Sequence, residues 1–385
     1  MRYSSIMGRS LSRNRLMRLV AAGAVAVPAL HATGGAAQDA TPVASPIASP
    51  AASPVSGDLA VRRNAKSLST AEKKAFTDAV LAIKATPSPW DADYSIYDQF
   101  VVWHRDAFAC DLMAAHMGPA FFPWHRMFLK LFEEQLQAID PSVTVPYWDW
   151  TVDDTVDSYV WQDDFMGGSG DPENQWAVMD GPFRRDNWEI SIFDEADDEL
   201  LPFLIRNLGD GKLAPDLPTA EQVETSLALT TYDTSPWNEM SDPAVSFRSH
   251  MEGWRDCVPD SCVDDPSDHP QCPGSHDMHN RVHLWVSGEM IFAHEGGFEE
   301  VAGPYGTMAM NSSPNDPVFF LHHANIDRLW NQWMQRHGQL YAPASGAMYG
   351  HNLDDLMWPY RDIGIAVSPA MMLDSRALGY VYDTD

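Results

Sequence analysis

Positive charge is scarce in this chain. Its 25 Lys and Arg stand against 54 Asp and Glu, a formal net charge of −29. That balance argues against a nucleic-acid phosphate backbone or an anionic membrane as partner and leaves a cationic or neutral small substrate. Cysteine is scarcer still, with 4 in 385 residues, enough for two disulfides at most. A membrane-length apolar run is also missing: Leu19 to Leu30 covers about a dozen residues, too short for a bilayer core of roughly 30 Å. What the chain does have is 45% hydrophobic and 11% aromatic residues. This suffices for one large domain or two modest ones and excludes collagen, a coiled coil and full disorder. It also has 14 His and 14 Trp, much imidazole and indole for so little positive charge.

The N-terminal stretch has the layout of an export signal. Arg13-Asn14-Arg15-Leu16-Met17-Arg18 precedes the apolar run, and small residues ending Gly35-Ala36-Ala37 follow it, which predicts a signal peptide over 1–37. Ser12-Arg13-Asn14-Arg15-Leu16 resembles a twin-arginine signal with Asn14 between the arginines. Cleavage after Ala37 removes five arginines and no acid, deepening the net charge from −29 to −34. Residues 38–58 repeat Ala-Ser-Pro units, a Pro-stiffened linker that cannot bury a core. The folded part is therefore expected over 59–385, as a secreted protein with no membrane attachment after processing.

Within it, Ser69-Thr70-Ala71-Glu72 and the apolar spacing to Ile83 predict a capped helix. Further helices are expected over 95–108, 120–139 (closed by Pro141), 279–286 and 317–336. Residues 151–245, rich in Asp, Gly, Pro and Asn, read as long ordered loops rather than a second domain. The fold class is mainly α, with four helices packed as a bundle around a central site.

Six histidines fall into two groups. His104, His116 and His125 precede or open the helix at 120–139. His279 and His283 stand i, i+4 on one helix face, and His323 follows about forty residues later on the next helix. An i, i+4 pair places two imidazoles where both can bind one metal ion. Neutral imidazoles without thiolate or carboxylate suit copper or zinc, and periodicity leaves the two open.

The motifs around these histidines resemble those of bacterial tyrosinases. They are Tyr97 to His104, Phe121-Phe122-Pro123-Trp124-His125-Arg126, His279-Asn280-Arg281-Val282-His283, and Asn315-Asp316-Pro317 through His322-His323-Ala324-Asn325-Ile326-Asp327-Arg328-Leu329-Trp330. The likeness covers most of 65–385, including Asp180-Gly181-Pro182-Phe183 and Leu378-Gly379-Tyr380. It implies a type 3 centre of two copper ions in a four-helix bundle, with O2 as co-substrate. His104, His116 and His125 would hold copper A, and His279, His283 and His323 copper B. Counting in the family pattern from Asp316 and back from Asp327 lands on His323, so His322 becomes a packing residue. Asp316 and Asp327 become candidates to orient ligand imidazoles.

The same resemblance implies an enzyme that hydroxylates monophenols and oxidises o-diphenols to o-quinones, with small phenols and catechols as substrates. Removal of the phenol proton is assigned to Glu252, with Asn280 helping to hold a water. Family members run almost directly from Gly-Trp-Arg into His-Asn-Arg, whereas this chain inserts roughly twenty residues over 256–278. Glu252 reaches the site only if that insertion loops outward. Leu284, after the second copper B histidine, and Met310, over copper A, are expected to line the substrate pocket.

Three cysteines, Cys257, Cys262 and Cys272, lie in the insertion, and Cys110 lies between His104 and His116. Two disulfides in any of three connectivities are expected of an exported chain. The alternative is a small zinc site using the three insertion cysteines with His269 or His276. A Cys-x-His thioether is not expected, because Cys110 is six residues before His116. The about 48 residues after His337 are too few for a lid domain, while a separate copper-delivery partner remains open. The competing functions are a catechol or o-aminophenol oxidase without monophenol activity and an oxygen carrier of haemocyanin type.

Overall fold

The computed structural model describes residues 59–109, 113–194, 201–211, 214–254, 277–294, 297–304 and 306–385. The signal, the linker, all four cysteines and the insertion up to residue 276 lie outside them, and with them the disulfide and zinc expectations. Seven α-helices carry the described chain: α1 Thr70–Lys84, α2 Ile96–Asp106, α3 Phe121–Ile139, α4 Ala220–Ala228, α5 Phe247–Glu252, α6 Met278–Ser287 and α7 Val318–His337. None of the described helices is long and apolar enough to cross a membrane.

Local chemistry accounts for the helix ends. Ser69 and Glu72 close a reciprocal capping box on α1, satisfying two amide donors that a helix start leaves open. Ser95 caps α2 by accepting from the Asp98 amide at 3.0 Å. α3 has no side-chain cap; Pro123, in its first turn, lacks an N–H that would have had no partner there. α6 stops at Gly288, φ 63°, where a Cβ would stand 1.9 Å from the Asn207 carbonyl oxygen, so only glycine fits.

The helices close around an aromatic core. Phe132 of α3 and Phe320 of α7 stack with centroids 3.5 Å apart, and Phe100 of α2 meets Phe128 and Phe132 edge-on at 5.1 and 5.4 Å. Such rings supply most of the apolar area that drives burial. Strand β1 (Ala60–Arg62) pairs in parallel with β4 (Tyr380–Tyr382), joining the two ends of the described chain. A second pair, β2 (Glu289–His294) and β3 (Gly297–Pro304), is antiparallel and was not among the expected elements.

The described residues within 151–245 form long loops, as expected, apart from short 3₁₀ turns and α4. They are packed down by core side chains such as Trp161, Phe165, Phe183 and Trp188, and by buried charge, rather than by regular structure. Arg206 is fully buried and donates to both oxygens of Asp316 at 2.6 Å and to the carbonyls of Met166 and Gly167. Such a pair fixes the loop because each ion would be stranded without the other.

Candidate metal centre

The bundle brings the two histidine groups face to face. His104 sits in the last turn of α2, His125 in the second turn of α3, His279 and His283 on α6, and His323 in the second turn of α7. His116 is the exception: it lies on the bend between α2 and α3, outside any helix. Ring centroids within the first group are 4.9 to 5.7 Å apart, and within the second 4.6 to 5.6 Å. The groups meet where the rings of His125 and His323 stack at 4.2 Å.

Backbone carbonyls orient four of the rings. The Nδ1–H of His104 donates to Asn311 at 2.6 Å, that of His125 to Phe121 at 2.8 Å, that of His279 to Glu252 at 3.1 Å and that of His283 to Met308 at 2.7 Å. A carbonyl only accepts, so each bond leaves Nε2 as a lone pair. The Nε2 atoms of His104 and His125 have no hydrogen-bond partner although buried. Those of His279 and His283 approach to 3.0 Å with no proton between them, and His323 Nε2 stands 3.2 Å from His279 Nε2. Converging buried lone pairs repel one another unless a cation lies among them, so the donor set fits a metal ion in each group. All six imidazoles are pushed toward the neutral form by burial, and all but His283 also by neighbouring imidazoles; His125 falls to about 3 and His283 to about 4.

His322 is also fully buried. Its ring stacks on His279 at 5.1 Å, and one donor atom from each of His279, His283, His322 and His323 lies within 4.8 Å of the rest. Proximity alone therefore does not separate His322 from His323: both ring nitrogens of His322 and Nδ1 of His323 lack a hydrogen-bond partner, while His323 Nε2 stands 3.2 Å from His279 Nε2.

Two sequence expectations need correction. Among the described residues neither Asp316 nor Asp327 hydrogen-bonds a histidine of the two groups, and Asp316 acts on His283 only through its charge. Asp316 is taken by Arg206 and by the Val318 amide. Asp327 accepts from Arg126, Arg62, Tyr380 and Tyr382. The orienting groups are carbonyls instead. Leu284 is likewise displaced: it is buried in the hydrophobic core and is absent from the described residues around the metal cavity. One residue along a helix is a turn of about 100°, which carries it away from the face of His283.

Glu252, Asn280 and Met310 do line the cavity, with Phe108, Met117 and Met308. Glu252, at the end of α5, is 1% exposed. Its Oε1 accepts from the Met117 amide at 2.5 Å and its Oε2 from Arg248 at 2.9 Å, while Arg248 is anchored on Asp233 at 2.8 Å. Burial pushes the Glu252 carboxyl up to about 7, against the opposing pull of Arg248 and the Met117 amide. It is the only carboxylate among the described residues of the cavity wall.

Fold and site together define a helical protein with a binuclear, all-histidine metal centre. The family model for the common central domain of tyrosinase matches residues 94–336. The chain is 39% identical over 334 residues to the tyrosinase of Streptomyces glaucescens, covering 85% of this chain and all of that one. It is 35% identical to the grixazone synthase of Streptomyces griseus, over 84% of this chain and 99% of the relative. A polyphenol oxidase from Thermothelomyces thermophila shares the fold, with a TM-score of 0.55 at 21% identity over 84% of this chain and 88% of that structure. The chain belongs to the tyrosinase family, the type 3 dicopper phenol oxidases, with O2 as co-substrate.

Proposed function

We propose that this protein is an exported tyrosinase proper, one that hydroxylates small monophenols and oxidises the resulting o-diphenols to o-quinones. His104, His116 and His125 would hold one copper ion and His279, His283 and His323 the other. The bound pair supplies the two-electron activation of O2 that no side chain can perform. The chain's own residues do the rest. Phe108, Met308 and Met310 present an apolar wall for the substrate ring, and the buried histidine cluster keeps bulk water from the reacting atoms. Glu252 accepts the phenol proton, directly or through a water shared with Asn280, and Arg248 and the Met117 amide keep its carboxylate on the wall.

The observation that carries the monophenol step is the placement of Glu252 and Asn280 on the same wall as the copper-binding histidines, despite the insertion between them. The test begins with full chain recovered from culture fluid, loaded with two equivalents of copper and offered tyrosine, catechol and 2-aminophenol. Quinone from tyrosine and from catechol is expected. Turnover of catechol and 2-aminophenol alone identifies a diphenol or aminophenol oxidase, no product from any of the three an oxygen carrier, and retention inside the cell overturns export.

Met310 provides a narrower prediction. Its flexible thioether side chain forms part of the cavity wall, where it restricts how far a ring can enter. Met310→Gly is expected to change the ratio of monophenol to diphenol rates several-fold. An unchanged ratio in steady-state assays removes the gating role.

A further inference from the structure

His116 is positioned differently from its five partners. His104, His125, His279, His283 and His323 ride on helices, and four of them are also fixed by an Nδ1–H bond to a carbonyl. His116 has no helix under it, and its Nδ1 has no hydrogen-bond partner; the ring rests on Phe108 at 4.2 Å. Its other neighbours, such as His104 and His125, only pack against the ring, so its position is set chiefly by the backbone of residues 113–120, which Glu252 holds at the Met117 amide and Tyr232 at the Pro119 carbonyl. That backbone is under strain, since Met113 and Met117 have φ of 32° and 57°, a left-handed region that costs a residue with a side chain roughly 1 kcal/mol or more.

A single buried ring spans this segment from the far end of the chain. His351 is 3% exposed; its Nε2–H donates to the Met113 carbonyl at 2.7 Å, and its Nδ1 accepts from the Ala120 amide at 3.2 Å. The ring lies against Gly118, where a Cβ would stand 2.6 Å from its Cε1 and Nδ1 atoms. Tyr341 holds the His351 carbonyl at 2.7 Å, so the clamp is itself fixed. Burial keeps the imidazole neutral, its pKa lowered to about 4, which preserves one donor and one acceptor for the two ends of the bend.

We propose that His351 is a positioning residue for His116 and thereby governs how firmly copper is held in the first group. This rests on His116 being a ligand. His351 does not touch the metal group itself; it acts through the backbone it clasps. Hydrogen-bond partners of a ligand change metal affinity by about 10- to 100-fold, and the same range is expected for a contact that fixes the ligand's backbone.

The test follows copper release from the full-length, copper-loaded protein challenged with EDTA, by mass spectrometry for the copper count and by EPR for a single uncoupled Cu(II). His351→Phe keeps the ring and loses both bonds. His351→Gln, whose amide offers a donor and an acceptor at similar separation, is the conservative replacement. The first equivalent is expected to leave His351→Phe about 10- to 100-fold faster, with a mononuclear Cu(II) signal appearing, and the second at the wild-type rate; His351→Gln should restore most of the retention. Gly118→Ala, which displaces the ring without changing it, should reproduce the phenylalanine result and serves if that variant fails to fold. Wild-type release in both the phenylalanine and alanine variants, or equal acceleration of both equivalents, overturns the proposal. A wild-type chain that never retains two copper ions overturns instead the assignment of the ligands.

Discussion

Replacing Asp327 with alanine is expected to lower the stability of the domain by about 3–5 kcal/mol, a large part of the roughly 5–15 kcal/mol a native protein has. The reason is what Asp327 holds together. Its Oδ1 accepts from Arg126 Nε at 2.6 Å. Its Oδ2 accepts from the hydroxyls of Tyr380 and Tyr382, each at 2.6 Å, and from Arg62 at 3.3 Å. One carboxylate thus ties α7 to α3 and to both strands of the β1–β4 pair. Arg62 also reaches Glu133 at 3.0 Å, so it keeps a partner when Asp327 is removed. Arg126 keeps backbone carbonyls and the face of Trp330 among the described residues, leaving a guanidinium in the interior with no counter-charge. Chemical denaturation of wild type and variant, both without copper, measures the difference; a loss below about 1 kcal/mol would show that the network is dispensable.

The same group gives stability a pH dependence of known sign. Arg126 and Arg62, aided by the two tyrosine hydroxyls, hold the Asp327 carboxyl below its usual range despite burial. A carboxyl depressed in the folded state contributes stability that is fully present above its unfolded pKa of about 3.9 and is lost as pH falls through the folded value. Asp327→Asn should therefore be less stable than wild type at neutral pH, and the gap should narrow in acid.

This network also marks where the sequence stops being readable. The helices were legible because their information is local: Ser69 and Glu72 announce the start of α1, and apolar spacing traces α3 and α7. The two histidine groups were legible for the same reason, as an i, i+4 pair and as short spacings within motifs. Asp316 and Asp327 looked like partners of the ligand histidines because they lie near them in the chain. Their actual partners, Arg206 and Arg126, are 110 and 201 residues away, and nothing local signals them. The groups that do orient the imidazoles are the carbonyls of Phe121, Glu252, Met308 and Asn311. Every residue has a carbonyl, so no residue type could have disclosed which ones are used. His351 was hidden differently: a lone histidine in an irregular segment has no periodicity to suggest that it clasps a bend more than 230 residues earlier.

The largest functional effect is expected at Glu252. Glu252→Gln should lower the monophenol turnover by about 100- to 10,000-fold, the usual contribution of a placed proton acceptor, and the diphenol turnover far less, because the neighbouring hydroxyl of a catechol stabilises its anion and makes the proton easier to lose without such an acceptor. The substitution is nearly isosteric but not electrostatically silent. Both carboxylate oxygens accept, Oε1 from the Met117 amide and Oε2 from Arg248, whereas glutamine offers one acceptor and one donor. Whichever way the amide turns, its NH2 faces a donor, and leaving a buried donor unpaired costs about 1–3 kcal/mol. Arg248 retains Asp233 on its other face, which limits the damage and keeps α5 in place. Glu252→Ala removes both acceptors and frees the backbone next to His116, so it should also weaken copper retention, which Glu252→Gln should largely preserve. Steady-state rates on tyrosine and catechol, with copper content measured on the same samples, separate these effects. Equal losses on the two substrates at full copper occupancy would assign Glu252 a structural role and move the proton acceptor elsewhere on the cavity wall.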